Sequence, residues 1–128
     1  MTSITLYEEG AKAGFPSFVV NEDSYKISLE DYLIEKPSTT VCVRVIGNSM
    51  NLVGIMENDL ILVDKAKGAL EGQIVIAIID GAYTIKFLKK DSQKRFYLSS
   101  ANKTYPDFYP EESLEIFGVV VGCVRKYN

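Results

Sequence analysis

A chain of 128 residues with a formal net charge of −3 at pH 7 is long enough to bury a single hydrophobic core. Hydrophobic residues make up 47% of the chain and charged residues 24%, a composition that excludes a disordered protein. The acidic balance argues against direct DNA binding, which needs a basic surface. The longest apolar run, Ile74 to Ile79, is far too short to span a membrane.

Two residue counts limit the possible chemistry. The chain contains no histidine, which excludes Ser-His-Asp and Cys-His catalysis and removes the commonest zinc ligand. A base for acyl transfer must then be a lysine or a carboxylate, and we expect no metal or cofactor. Cys42 and Cys123 lie in apolar strands and are predicted to be buried, with a disulfide or a reactive thiol as alternatives. Because the N-terminus lacks the features of a signal peptide, we expect a cytoplasmic protein.

The first part of the chain is too short to form a domain. Ile4, Leu6 and Tyr7 follow a strand-like alternation, and small residues follow them. We therefore predict an N-terminal arm over residues 1–13 and one domain over residues 14–128. Phe15 precedes Pro16, and the residue before a proline is disfavoured in a helix, so an extended or turn conformation is predicted here. A plain linker is the alternative interpretation.

A short helix is predicted over residues 28–34. Ser28 can act as its N-cap, and the acidic side chains of Glu30 and Asp31 suit the positive end of the helix dipole. Pro37 ends the element.

From Thr40 onward the apolar residues follow the period of two that is typical of β-strands. Asp80-Gly81, between two apolar runs, predicts a two-residue hairpin turn, and Gly118 and Gly122 predict bends or bulges. The fold class is therefore mostly β: a compact, strongly curled and barrel-like antiparallel sheet with one short helix and an N-terminal arm. The predicted strands cover residues 40–46, 59–63, 73–79, 82–88, 94–99 and 114–125.

Ser49 and Lys86 are candidates for catalysis. Ser49 follows an apolar strand and Gly47-Asn48, and the next residues suit the first turn of a short helix, where free backbone N–H groups can stabilise an oxyanion. Lys86 alternates with large apolar residues, so an inward orientation would desolvate its amine, lower its pKa and make it a general base. The alternatives are an ordinary turn at Gly-Asn-Ser and a solvent-exposed lysine on an edge strand.

These stretches together resemble the LexA/UmuD family of self-cleaving peptidases, over roughly residues 14–126. The residues that carry the resemblance are Gly47-Asn48-Ser49-Met50, Gly54-Ile55-Met56 with Asp59-Leu60, Glu71-Gly72-Gln73-Ile74-Val75, Asp80-Gly81 with Thr84 and Lys86, and Phe117-Gly118-Val119-Val120. The resemblance implies a LexA-like peptidase fold, Ser49 as nucleophile and Lys86 as general base. It also implies an oxyanion hole formed by the backbone amides of Asn48 and Ser49.

The resemblance further implies a cleavage site between Ala13 and Gly14, with a small residue on the acyl side. Three departures from the family pattern are visible. Asn58-Asp59 stands where Gly-Asp is common, Ser100 stands at a place often held by proline, and the arm is shorter than in the best-known UmuD. No catalytic group is lost, but the short arm leaves the docking of the uncleaved form open.

Length favours the UmuD branch of the family, because 13 residues ahead of the cleavage site cannot hold the helix-turn-helix domain of a LexA-like repressor. The resemblance then implies self-cleavage on DNA damage, in the SOS response, stimulated by a RecA filament on single-stranded DNA. It implies a trimmed homodimer that is the accessory subunit of a translesion polymerase of the Y family, with a UmuC-like catalytic subunit. Signal peptidases use a similar dyad but need a membrane anchor. A non-catalytic β-barrel binding module is the remaining alternative.

Overall fold

The computed structural model describes residues 2–8, 14, 24–111 and 114–127. By its internal contacts the chain divides into two compact units, residues 1–35 and residues 36–128, and each unit is described by itself. In the described part of the chain, no helix is long and apolar enough to cross a membrane.

The first unit contains a small two-stranded sheet and a short helix. Strand β1 (Ile4–Tyr7) pairs antiparallel with strand β2 (Ser24–Ile27). Helix α1 (Leu29–Leu33) comes next, and its N-cap Ser28 accepts a hydrogen bond of 3.2 Å from the backbone N–H of Asp31. The predicted helix is thus confirmed with its cap, whereas β2 was not predicted because its sequence lacks a strong apolar alternation.

The second unit is built on a six-stranded antiparallel sheet with the strand order β3-β4-β8-β5-β6-β7. The prediction of a mostly β fold is confirmed, with every predicted strand present to within two residues at each end. The order of the described strands is open, from β3 at one edge to β7 at the other, so barrel-like closure and strong curling were overstated. The strands are β3 (Thr40–Arg44), β4 (Leu60–Asp64), β5 (Ile74–Ile79), β6 (Ala82–Lys90), β7 (Phe96–Ser99) and β8 (Glu115–Val124).

Strand β5 lies between β8 and β6 and is buried on both faces. Because successive side chains of a strand point to opposite faces, its apolar run supplies two cores at once. Ile76 belongs to one core cluster, with Val63 and Met50, while Val75 belongs to the other, with Leu98.

The turn from β5 to β6 sets the register of the hairpin. Asp80 and Gly81 have φ angles of 50° and 79°, and positive φ at both central residues is the requirement of a type I′ turn. The resulting register places Ile79 opposite Ala82 and Lys86 opposite Val75.

Both predicted irregularities of β8 are present. The pairing of β8 shifts by one residue against β4 next to Gly122, and again against β5 next to Gly118. Gly118 also permits strand β8 to lie close to strand β4. A Cβ at this position would lie 2.6 Å from Cγ1 of Val63 and 2.8 Å from the carbonyl oxygen of Asp64.

The prediction that both cysteines are buried is wrong. Cys42 and Cys123 are free thiols with exposed side chains. Strand β3 lies at the edge of the sheet, and Val41 and Val43 face the core, so Cys42 between them faces away from it. Cys123 lies near the end of β8, where exposed residues alternate with partly buried ones.

We expect Gly118→Ala to destabilise the protein by about 1–3 kcal/mol, because the added methyl group overlaps backbone and side-chain atoms of β4. Urea unfolding measures this change. Gly68→Ala is the matched control, since Gly68 has open space around its Cβ position, and its effect should stay within about 0.5 kcal/mol. Equal unfolding midpoints for the two variants would contradict the close approach.

Candidate active site

The candidate nucleophile lies in a tight turn that is anchored in the core. Gly47, with a φ of 88°, leads from β3 into the turn, and a short 3-10 helix over Asn51–Val53 comes after Ser49, as the sequence predicted. The side chain of Met50 is 2% exposed, and its sulfur accepts a hydrogen bond from the backbone N–H of Ala101. The residue next to Ser49 is therefore fixed by packing.

The structure brings Ser49 and Lys86 together. The Nζ atom of Lys86 lies 3.0 Å from Oγ of Ser49 and 3.1 Å from the carbonyl oxygen of Ile85, and donates to both. The same separation of 3.0 Å allows the serine hydroxyl to donate to the amine once the amine is neutral.

The environment of Lys86 favours the neutral amine. Lys86 is half-buried, and Leu88, which shares its face of β6, is 3% exposed. Burial lowers the pKa of the Lys86 amine below the ordinary value of a lysine, because desolvation penalises the ammonium. The desolvation expected from the sequence pattern is thus present.

The backbone amides of Asn48 and Ser49 have no hydrogen-bond acceptor within the described part of the chain. The two oxygen atoms of Asn48 are held in place by hydrogen bonds. Its carbonyl oxygen accepts a hydrogen bond of 3.0 Å from Nδ2 of Asn102, and its side-chain oxygen accepts one of 2.9 Å from the hydroxyl of Tyr105. Sequence reasoning missed these contacts, since a polar loop more than 50 residues away carries no periodic signal of contact.

A cleft of about 260 Å³ opens beside Ser49. One wall is formed by residues 43–47 and the other by residues 83–85 of β6. Among the described strands, β7 pairs with β6 only from Phe87 onward, so this part of β6 has an edge that β7 leaves open. An extended segment of chain can bind such an edge as an added strand.

A largely buried ion pair is bonded to the end of the 3-10 helix that follows the turn. The carboxylate of Asp59 is 2% exposed, and Nε and an Nη atom of Arg125 donate to it at 2.7 and 2.8 Å. The guanidinium also donates to the carbonyl oxygen of Gly54, the residue that ends the 3-10 helix. These hydrogen bonds hold the pKa of Asp59 well below its usual range.

The cleavage site expected between Ala13 and Gly14 falls at the edge of the described residues. Ala13 lies outside them, and Gly14 is exposed, with no atom of another described residue within 4 Å of the position of a Cβ. In the part of the chain that the structure describes, no group of three or more metal-binding side chains is close enough to hold an ion.

Comparison with known proteins places the chain in a family. Residues 5–121 match the model of the Peptidase S24-like family. Protein SamA of Salmonella typhimurium is 42% identical over 121 residues, which cover 94% of this chain and 84% of SamA. Protein ImpA of Escherichia coli is 35% identical over 121 residues, covering 94% of this chain and 83% of ImpA. The LexA repressor of Shewanella halifaxensis is 37% identical over 107 residues, 81% of this chain and 50% of the repressor.

The chain therefore belongs to the S24-like peptidases, a family of self-cleaving serine peptidases associated with the SOS response. Within that family it is a UmuD-like protein, which confirms both the family that the motifs indicated and the branch that the length favoured. The chain matches SamA and ImpA over most of their length, but it spans only about half of the LexA repressor.

We expect Arg125→Gln to lower the urea midpoint at pH 7, because it leaves the carboxylate of Asp59 buried without its cation. In the parent protein the pKa of Asp59 is lower in the folded state than in the unfolded state, where it is about 3.9. This difference stabilises the fold at any pH above about 3.9, and the stabilisation is lost as the pH falls below that value. The variant should therefore lose less stability between pH 5 and pH 2.

Arg95→Gln is the control for this experiment, since the ion pair of Arg95 with Asp91 lies at the surface and contributes little. A midpoint that falls equally in both variants would contradict a supporting role for the buried pair.

Proposed function

We propose that this UmuD-like protein cleaves its own chain between Ala13 and Gly14, with Ser49 as nucleophile and Lys86 as general base. The observation that carries the proposal is the separation of 3.0 Å between Nζ of Lys86 and Oγ of Ser49. Two further facts support it. The chain contains no histidine that could take the part of the base, and burial already favours the neutral amine.

In the first half of the reaction, the amine of Lys86 takes the proton of the Ser49 hydroxyl while Oγ attacks the carbonyl carbon of Ala13. The amides of Asn48 and Ser49 donate to the oxyanion that forms. When the intermediate collapses, the bond to Gly14 breaks, and the ammonium of Lys86 gives its proton to the departing amine. Residues 1–13 are then held as an ester on Ser49.

In the second half, the neutral amine of Lys86 takes a proton from water, and the resulting nucleophile attacks the ester carbonyl. Oγ of Ser49 leaves with the proton from Lys86. The products are a peptide with a carboxylate at Ala13 and a chain that begins at Gly14. Small residues suit the site because the scissile carbonyl must reach Oγ closely, and side chains on either side of the bond would hinder that approach.

The proposed biological setting rests on membership of the UmuD-like branch. A RecA filament on single-stranded DNA stimulates cleavage by favouring the competent arrangement of the arm. The trimmed chain forms a cytoplasmic homodimer that serves a UmuC-like polymerase subunit of the Y family in translesion synthesis. The net charge of −3 supports a part played through protein contacts rather than through direct contact with DNA.

We expect purified protein incubated between pH 7 and pH 10 to lose residues 1–13, as measured by intact mass. The rate should rise with pH as Lys86 deprotonates, with a midpoint below the ordinary lysine pKa of about 10.4, because burial lowers the pKa of this amine. Lys86→Ala should reduce the rate about 10²- to 10⁴-fold, and Ser49→Ala should abolish cleavage.

Ser92→Ala and Lys90→Ala are matched controls, since both residues are exposed and should leave the rate unchanged. The same series is repeated at pH 7 with an activated RecA filament, which should accelerate cleavage in the parent chain and in the controls. A chain that stays intact at every pH and in the presence of the filament would contradict the proposed peptidase activity. The alternative of a non-catalytic binding module would then remain. A new N-terminus other than Gly14 would overturn the assigned bond.

A further inference from the structure

Tyr105, in the loop after β7, contacts both halves of the candidate site. Its hydroxyl donates a hydrogen bond of 2.9 Å to the side-chain oxygen of Asn48. Its ring centroid lies 5.9 Å from Nζ of Lys86, within the range of about 6 Å over which an aromatic face attracts a cation. The side chain of Tyr105 therefore contacts both Asn48, the residue that precedes Ser49, and the amine of Lys86.

The loop that carries Tyr105 is itself well held. The backbone N–H of Tyr105 donates to the carbonyl oxygen of Asn102. The side-chain oxygen of Asn102 accepts from the backbone N–H of Thr104, and its Nδ2 donates to the carbonyl oxygen of Asn48. Leu52 also donates its N–H to the carbonyl oxygen of Ala101. The position of the ring is thus fixed relative to the turn, so its contact with Lys86 has a defined geometry.

We propose that Tyr105 is a positioning residue of the dyad: its hydroxyl fixes Asn48 through the side-chain oxygen of that residue, and its ring holds the amine of Lys86 beside Ser49. The inference rests on the proposed function, because it assigns Asn48 to the oxyanion hole and Lys86 to proton transfer. The hydroxyl acts on the stabilisation of the oxyanion, whereas the ring acts on the charge state of the amine. The two contributions can therefore be separated by substitution.

The groups around Lys86 allow the effect of the Tyr105 ring on the pKa of the amine to be measured. On its own strand the neighbours on the same face are the uncharged Thr84 and Leu88, and the residue opposite on β5 is Val75. From the turn, the hydroxyl of Ser49 faces the amine, and from the loop after β7 the aromatic ring of Tyr105 faces it. Within the described residues, burial lowers the pKa of Lys86, and the attraction of the ring for the ammonium opposes that effect.

Tyr105→Phe keeps the ring and removes the hydroxyl, while Tyr105→Leu removes the ring but keeps an apolar side chain beside the amine. We expect Tyr105→Phe to lower the self-cleavage rate at its high-pH plateau about 3- to 10-fold, the value of one lost hydrogen bond, with the pH midpoint unchanged. Tyr105→Leu should lower the plateau at least as much and move the midpoint down by about half a pH unit. Tyr109→Phe, which removes a hydroxyl bound to Asp91 instead, should change neither quantity.

A second measurement does not depend on cleavage. In a Ser49→Ala background, NMR titration of the Lys86 side chain should give the same pKa with Tyr105 and with Phe, and a lower pKa with Leu. A pKa that stays in place or rises with Leu, or a plateau rate unchanged in Tyr105→Phe, would overturn the positioning role. A parent chain that never cleaves would overturn the proposed function instead, while the NMR titration still tests the contact between the ring and Lys86.

Discussion

The register between β5 and β6 is the constraint on which the candidate site depends. A shift of one residue in that pairing would turn the side chain of Lys86 to the opposite face of the sheet and away from Ser49. Two features oppose such a shift. The type I′ turn at Asp80-Gly81 fixes the residue count of the hairpin, and β5 buries apolar side chains on both faces, so its position between β8 and β6 is determined by packing.

Asp59 and Lys86 show two different consequences of burying a charged side chain. Asp59 is almost fully buried but accepts hydrogen bonds from Arg125 and from the backbone of Met56, so its charge is stabilised and the group is structural. Lys86 is only half-buried, and its hydrogen-bond partners are a hydroxyl and a carbonyl oxygen rather than a carboxylate. An amine in that environment gives up its proton more readily, which is the property that a general base needs.

Much of the sheet could be predicted from the sequence, because alternating valines and isoleucines and the Asp-Gly turn are local signals. The pairing of Ser49 with Lys86 is not local, and it was predicted only through the resemblance to a family. Asn102, Tyr105 and Arg125 were missed as parts of the site, since each reaches the turn through the tertiary fold. The departure at Asn58 has a local explanation: its φ of 75° is a conformation that glycine favours and that asparagine tolerates better than most residues.

The pairing of β1 with β2 has a consequence for the two products of a cut at Ala13. Residues 4–7 lie before that bond and residues 24–27 after it, so the ladder joins the two future products. While the chain is intact, the two strands belong to one molecule, so their pairing is intramolecular. After cleavage the same four-residue ladder must hold two separate molecules, and an isolated two-stranded pairing is marginal in water. Under the proposed cleavage, dilution would therefore favour separation of the peptide that carries β1 from the chain that carries β2.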